Sequence, residues 1–125
     1  MDLQRYLRIP YLDRGLTEDG ADCWGFARLV LQRETGAELP DFLDVEDLAG
    51  LEVALRRFRE IPAPQDYDLV LMYSPSRWLT HVGVYYRGGV LHMSRQGAGY
   101  VPVDRLGTRI IGVYRAEKPY DSLQV

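Results

Sequence analysis

The sequence predicts one α+β domain over residues 1–125, with N-terminal helices packed on a central antiparallel sheet of about five to six strands. Apolar residues recur at helical spacing in the first half, and from Tyr67 onward the period becomes that of strands. Neither repeats nor linkers divide the chain, and its 46% hydrophobic residues suffice for one core. Helices followed by consecutive strands are the order of an α+β domain.

The central helix is expected to begin after Asp22, whose carboxylate suits an N-cap, and to run to about Thr35. Phe26, Leu29 and Val30 form its apolar stripe, and Gly36 provides a stop. A short helix over about Met1 to Ile9 precedes it, and Asp13 to Asp22 reads as a loop. A second helical pattern follows, from roughly Val45 to Arg59.

The second half predicts strands joined by glycine-containing turns. Turns are expected at Arg87-Gly88-Gly89 and from Gly97 to Gly99. The connections are short, so the strands are expected to form an antiparallel meander. The predicted strands are Asp68–Tyr73, Thr80–Tyr86, Val90–Ser94, a short strand around Tyr100–Val103, and Arg109–Tyr114.

Composition argues against several classes of protein. A net charge of −3 and a pI near 5.3 predict neither a nucleic-acid partner nor an anionic membrane partner. One cysteine excludes an internal disulfide and a cysteine-rich zinc site, and no cofactor is expected. No apolar run has the length of a membrane span, and the N-terminus lacks the apolar core of a signal peptide. Synthesis in the cytoplasm without Sec export is therefore predicted.

Cys23 and the two histidines are the candidate catalytic residues. Cys23 falls on the first turn of the central helix, where the positive helix end favours a thiolate. His81 and His92 lie in one predicted hairpin, and an even-length loop would place both on one sheet face with Tyr85. The Arg-Gly-Gly turn favours a two-residue connection, whereas an odd loop would separate the histidines. On the favoured register, that face is expected to pack against the start of the cysteine helix.

These residue types suit nucleophilic catalysis. His81 would take the thiol proton and later return it to the leaving amine, and His92 would orient that base. Backbone N–H groups at the helix start, including that of Cys23, would form the oxyanion hole. A zinc enzyme is the weakest alternative, since no third ligand has recognisable spacing beside the two histidines.

The chain resembles the NlpC/P60 cysteine peptidases in motifs that follow one another in the family's order. They are Asp22-Cys23-Trp24-Gly25-Phe26, His81-Val82-Gly83-Val84-Tyr85 and the later His92, and the likeness extends over roughly Ile9 to Tyr114. This resemblance implies a papain-like fold that hydrolyses bacterial cell-wall stem peptides by a Cys-His-His triad. No metal belongs to such a site.

Finer features resemble the K-type tail assembly proteins of long-tailed phages and prophages: Pro10-Tyr11, Trp24, Gly36-Ala37-Glu38-Leu39-Pro40, Asp68-Leu69-Val70-Leu71-Met72 and Ile111-Gly112-Val113-Tyr114-Arg115. The substrate implied is the γ-D-glutamyl–diaminopimelate bond of peptidoglycan, and the implied partners are other tail-tip or baseplate proteins. The implied location is the virion tail, acting on the cell wall in the periplasm. Tyr11, Asp22 and Trp24 are the substrate-binding candidates, although Asp22 also fits a cap and Trp24 the core or cleft wall.

Two other functions are compatible with the sequence. The chain could be a structural tail-tip subunit that uses the peptidase fold for assembly. It could also be a related cysteine amidase or acyltransferase, which shares the nucleophile and differs in the acyl substrate. An intact Cys23, His81 and His92 favour an enzyme over the structural subunit.

Overall fold

The structure is a computed structural model that describes residues 1–41, 58–74 and 80–116. Its helices are α1 (Leu3–Leu7), α2 (Cys23–Thr35) and α3 (Val103–Leu106), and a 3-10 turn over Gly107–Arg109 follows α3. The strands are β1 (Leu16–Thr17), β2 (Gly20–Ala21), β3 (Phe58–Glu60), β4 (Leu69–Tyr73), β5 (Thr80–Tyr86), β6 (Gly89–Ser94), β7 (Gly97–Pro102) and β8 (Ile110–Ala116). None of the helices in these ranges is both long and apolar enough to cross a membrane.

Six strands form the main sheet, in the order β3-β8-β4-β5-β6-β7, and each neighbouring pair is antiparallel. The α+β class and the predicted number of strands are confirmed. The meander holds only from β4 to β7, because β8 inserts between β3 and β4 instead of following β7. Strand β4 is buried from Leu69 to Met72, so it needs a hydrogen-bonding partner on each side, and β8 provides the second one.

Two local predictions were wrong. Gly97 to Gly99 is the first half of β7 rather than a turn, and the hairpin reverses at Arg95 and Gln96, between the paired Ser94 and Gly97. The predicted loop from Asp13 to Asp22 contains the small β1–β2 hairpin, which pairs Leu16 with Ala21. In both places the chain forms a short antiparallel pairing with an adjacent segment. A glycine-rich composition alone does not reveal such a pairing.

Most of the second predicted helix, Val45 to Arg59, lies outside the described residues. Its last two positions are not helical, because Phe58 and Arg59 belong to β3 and pair with Ala116 and Arg115 of β8. Hydrogen bonding to β8, more than fifty residues away in the chain, overrides the local helical pattern of apolar residues.

Helix α2 packs on one face of the sheet, against β5 and β6. That face forms the larger apolar cluster, and the opposite face forms a smaller one. Because side chains alternate along a strand, successive residues of β5 and β6 belong to different clusters. The α2 side holds Phe26, Val30, Val82, Val84, Leu91 and Met93; the other side holds Val70, Met72, Val90 and Leu106, with Tyr85 and Val101 packed against them.

The bounds predicted for α2 are confirmed at both ends. The Asp22 carboxylate accepts hydrogen bonds from Gly25 N at 2.8 Å and from Arg14 N at 3.1 Å. The first bond caps the helix, and the second ties the preceding loop to it. Gly36 ends the helix with φ 73°, a left-handed conformation that glycine adopts without strain.

Gly25 lets that loop lie directly against the first turn of α2. A Cβ atom on Gly25 would stand 1.9 Å from the carbonyl oxygen of Gly15, which no side chain can occupy. The same oxygen accepts from Asp22 N at 3.4 Å. The start of α2 is thus held in place by backbone contacts as well as by its cap.

An ion pair with a buried carboxylate joins the start of β4 to β8. Asp68 is 1% exposed, and its carboxylate accepts two hydrogen bonds from Arg115, at 2.9 Å and 3.0 Å, and one from Gln65 N at 2.7 Å. The bidentate geometry compensates the desolvated charge. It also fixes β8 in its place beside β4.

We expect Asp22→Ala to lower the free energy of unfolding by about 1–2 kcal/mol, because the helix loses its cap and Arg14 N loses its acceptor. Asp22→Asn keeps a side-chain oxygen for Gly25 N and should lose less than half as much. Urea denaturation of both variants measures the difference. Equal stability of Asp22→Ala and wild type would show that the cap contributes nothing.

Candidate active site

Cys23 is the first residue of α2 and the single cysteine of the chain. Its side chain is partly buried and packs against the larger apolar cluster. The N-terminal end of a 13-residue helix carries partial positive charge, which stabilises a thiolate relative to a thiol. The helix therefore places a nucleophile where its ionised form is favoured.

The β5–β6 hairpin brings the two histidines onto one face. Its turn consists of Arg87 and Gly88, both with positive φ (45° and 82°), the geometry of a tight two-residue turn. The register then pairs Gly83 with His92, so His81 lies diagonally from His92 on the same face. The even-length loop favoured by the sequence is confirmed.

A hydrogen bond joins the two imidazoles, with His81 Nε2 and His92 Nδ1 3.1 Å apart and the ring planes at 86°. One nitrogen must donate and the other accept. When His81 Nε2 carries the hydrogen, His81 Nδ1 has the lone pair that can take a proton. This tautomer makes His81 a base and His92 the group that orients it.

The body of α2 does not lie on the histidine face, and the expected contact of that face with the start of the helix stays a prediction. The helix contacts the alternate side chains of β5 and β6, such as Val82 and Leu91, on the opposite face. A side-chain period of two puts His81 and His92 on the face of the smaller cluster. To meet them, Cys23 has to lie beyond the end or the edge of the sheet.

The two ends of α2 are distinguished by Glu34, which lies in its last turn. Its carboxylate accepts hydrogen bonds from Tyr6 at 2.8 Å and from Tyr67 at 3.5 Å. The backbone N–H of Tyr67 donates to the carbonyl of Tyr85, near the end of β5. The last turn of α2 thus lies beside the end of β5. Because helix and strand both measure about 20 Å, we expect Cys23 at the opposite end of α2 to lie toward the beginning of β5, where His81 stands.

Arg109 stands beside the histidine pair and is not among the site residues predicted from the sequence. It ends the 3-10 turn before β8, and its Nε donates to the Tyr73 carbonyl at 3.2 Å, at the end of β4. Tyr73 pairs with Thr80, the neighbour of His81. Only the insertion of β8 beside β4 brings Arg109 here, so no sequence pattern marked it.

Burial and positive charge keep both imidazoles neutral. Desolvation lowers the pKa of His81 to about 4, with smaller contributions from His92 and Arg109. Desolvation also lowers the pKa of His92, followed by the charge of Arg109. At neutral pH the pair therefore holds no extra proton, which is the state a base requires.

The three substrate-binding candidates lie around the start of α2 in different environments. Tyr11 is partly buried and bridges to Ala21, just before the helix. Both carboxylate oxygens of Asp22 accept backbone hydrogen bonds, as a cap requires. Trp24 is 2% exposed and its indole donates to the Pro40 carbonyl at 2.9 Å. The burial of Trp24 speaks against contact with substrate, and the roles of Tyr11 and Asp22 stay predictions.

Within residues 1–41, 58–74 and 80–116, no three His, Cys, Asp or Glu side chains are grouped to hold a metal ion. Every buried side-chain nitrogen or oxygen in these ranges also has a hydrogen-bond partner.

Residues 8–111 match the model of the NlpC/P60 family, which spans most of the chain. The chain belongs to the NlpC/P60 family. The match includes the cysteine motif, both histidines and Arg109. It was expected from the motifs, and the family assignment is confirmed.

A solved structure described as the NlpC/p60 domain of the peptidoglycan hydrolase SagA has the same fold. The superposition has a TM-score of 0.59 at 21% sequence identity and covers 93% of this chain and 92% of the other. The papain-like NlpC/P60 fold is thereby confirmed. No curated protein sequence matches the chain significantly.

We expect Arg109→Gln to raise the pKa of both histidines, because it removes a positive charge that opposes their protonation. NMR titration of the imidazole signals measures both values. Arg105→Gln, at an exposed position of α3, removes an equal charge from the same segment and should leave both pKa values unchanged. Equal pKa shifts in the two variants would show that Arg109 acts only through the net charge of the protein.

Stability should fall as pH decreases from about 6.5 to about 4. The folded-state pKa of His81 is lowered to about 4, whereas an unfolded histidine has a pKa near 6.5, so the unfolded state binds more protons across this range. One such group contributes a slope of up to about 1.4 kcal/mol per pH unit. Chemical denaturation at several pH values measures the free energy of unfolding, which should depend less on pH in His81→Gln than in wild type. Parallel curves would contradict neutral burial of His81.

Proposed function

We propose that this NlpC/P60 protein is a cysteine endopeptidase that hydrolyses stem peptides of bacterial peptidoglycan. The observation that carries the proposal is the His81–His92 hydrogen bond, which holds two imidazoles together as a base and the group that orients it. We expect Cys23, at the start of α2, to reach this base. Family membership supports a thiol nucleophile with a histidine base. The solved structure with the same fold is described as a peptidoglycan hydrolase, which supports the substrate class.

In the proposed reaction, His81 Nδ1 takes the proton of Cys23 Sγ, and the sulfur attacks the carbonyl carbon of the scissile amide. His92 accepts from His81 Nε2–H and stabilises the imidazolium that forms. The positive end of α2, with the backbone N–H of Cys23, stabilises the oxyanion. His81 then gives its proton to the leaving amine, and water hydrolyses the thioester to regenerate the thiol.

We further propose that the cleaved bond is the γ-D-glutamyl–diaminopimelate bond and that the protein works in a phage or prophage tail tip. Both rest on the likeness of Pro10-Tyr11, Trp24 and the segments 36–40, 68–72 and 111–115 to K-type tail proteins. Other tail proteins would then bring the peptidase to the cell wall.

Digestion of purified diaminopimelate-type peptidoglycan tests the activity. Cleavage by the wild type should produce stem peptides that end in L-Ala-D-Glu, identified by mass. Cys23→Ala or His81→Ala should lower the cleavage rate at least about 1,000-fold while the fold is retained. His92→Ala should leave a small residual rate, because His81 keeps its lone pair and loses only its orientation. Full activity of Cys23→Ala would overturn the mechanism. Inactive wild type, alone and in whole particles, would favour a structural role.

Alkylation of Cys23 tests the pairing of thiol and imidazole without any substrate. Because the chain has one cysteine, iodoacetamide labelling followed by mass spectrometry reports that residue alone. His81→Gln should slow labelling near neutral pH, since the thiol loses its base. Tyr85→Phe alters the same face of β5 without removing a base and should label at the wild-type rate. Identical rates for wild type and His81→Gln would show that His81 does not reach the thiol.

A further inference from the structure

His92 lies between two glycines in the ladder. Its partner on β5 is Gly83, and its partner on β7 is Gly99. A Cβ atom on Gly83 would lie 2.4 Å from Val90 Cγ1 and 3.0 Å from the Leu91 carbonyl oxygen, so that side is closely packed. Gly83 is thus required by the fold itself.

No described side chain other than His92 lies against Gly99. A Cβ atom there would have His92 Nε2 at 3.5 Å, and no other atom of the described residues beyond its chain neighbours within 4 Å. Helix α3, which lies on this face, packs farther along β7 with Val101. Gly99 therefore forms the floor of a shelf on the histidine face, with the imidazole of His92 as its wall. We call this space the Gly99 shelf.

The proposed mechanism assigns the hydrogen on His92. Its Nδ1 must accept from His81 Nε2, so the hydrogen lies on His92 Nε2, the atom that faces the Gly99 shelf. No described residue accepts this hydrogen bond. The His92 side chain is only partly buried. The shelf thus presents an N–H donor with room for an acceptor.

We propose that the Gly99 shelf is a substrate subsite in which His92 Nε2–H donates to a carboxylate oxygen of the bound peptide. The inference rests on the proposed function and adds a second role for His92, that of a direct contact with substrate. A neutral imidazole donor binds either a carbonyl or a carboxylate, and the surrounding charge selects between them.

Positive charge favours the carboxylate. Arg109 acts electrostatically on both histidines, and among the described residues no acidic side chain forms an ion pair with it. Its Nε is bonded to the Tyr73 carbonyl, which holds the guanidinium near the pair. An anionic group on the shelf would be attracted by this charge, and a neutral carbonyl would gain much less.

The experiment measures binding by the Cys23→Ala protein, so that cleavage plays no part. The probes are the tripeptide L-Ala-γ-D-Glu-diaminopimelate with free carboxylates and the same tripeptide with amidated carboxylates. Calorimetry should show at least about 10-fold tighter binding of the free acid, the effect expected of one charge-assisted hydrogen bond. NMR should show that the His92 Nε2 signal shifts on binding.

Gly99→Ala, added to Cys23→Ala, fills the shelf with one methyl group at ordinary contact distance. It should lower the affinity for the free acid at least about 10-fold and change the affinity for the amidated peptide by less than about 2-fold. The melting temperature of the protein should be unchanged. Val101→Ala, on the same face of β7 nearer α3, is the matched control and should bind both peptides as the parent does. Arg109→Gln should remove part of the preference for the free acid.

Equal binding of the two peptides, or equal losses for both in Gly99→Ala, would overturn the carboxylate subsite. A free acid that does not bind, or that leaves His92 Nε2 unshifted, would overturn it as well. Cleavage assays on the wild-type protein distinguish a failure of the proposed function from a failure of the carboxylate subsite. If that protein cleaves neither peptidoglycan nor the tripeptide, the peptidase assignment fails, whatever the binding data show.

Discussion

The register of the β5–β6 hairpin is the constraint on which the site depends. The two-residue turn at Arg87 and Gly88 sets which residues face each other, and a slip of one residue would move His92 to the other face of the sheet. In the observed register the two imidazoles come within hydrogen-bonding distance. The same register places His92 between Gly83 and Gly99, and so determines what each nitrogen of its ring can reach.

Burial in this sheet sets the chemistry of the imidazoles. The pair lies on the face that α2 does not cover, next to the smaller apolar cluster, where desolvation opposes protonation. Arg109 adds positive charge from the turn before β8. A neutral base with a fixed cation beside it is compatible with the proposed thiol nucleophile and the proposed anionic peptide. Family membership, which rests on residues 8–111, points to the same chemistry.

Neighbouring residues of β5 serve alternately the core and the candidate site. Val82 and Val84 on β5 hold α2, while the alternate positions carry His81 and Gly83. The helix start is fixed independently, by the Asp22 cap and by the close approach of Gly15 to Gly25. Rigid backbone on both sides is what a nucleophile and a base need to keep their geometry.

The sequence by itself determined the features that depend on neighbouring residues. The bounds of α2 follow from a cap at Asp22 and a stop at Gly36, and the pairing of His81 with His92 follows from a tight turn and a period of two. Tertiary structure decided what depends on distant pairing. Only the insertion of β8 beside β4 turned Phe58 into a strand residue and brought Arg109 to the histidines, and only packing buried Trp24 and put α2 on the opposite face. Such contacts join segments far apart in the chain, and no local pattern of residues encodes which of them meet.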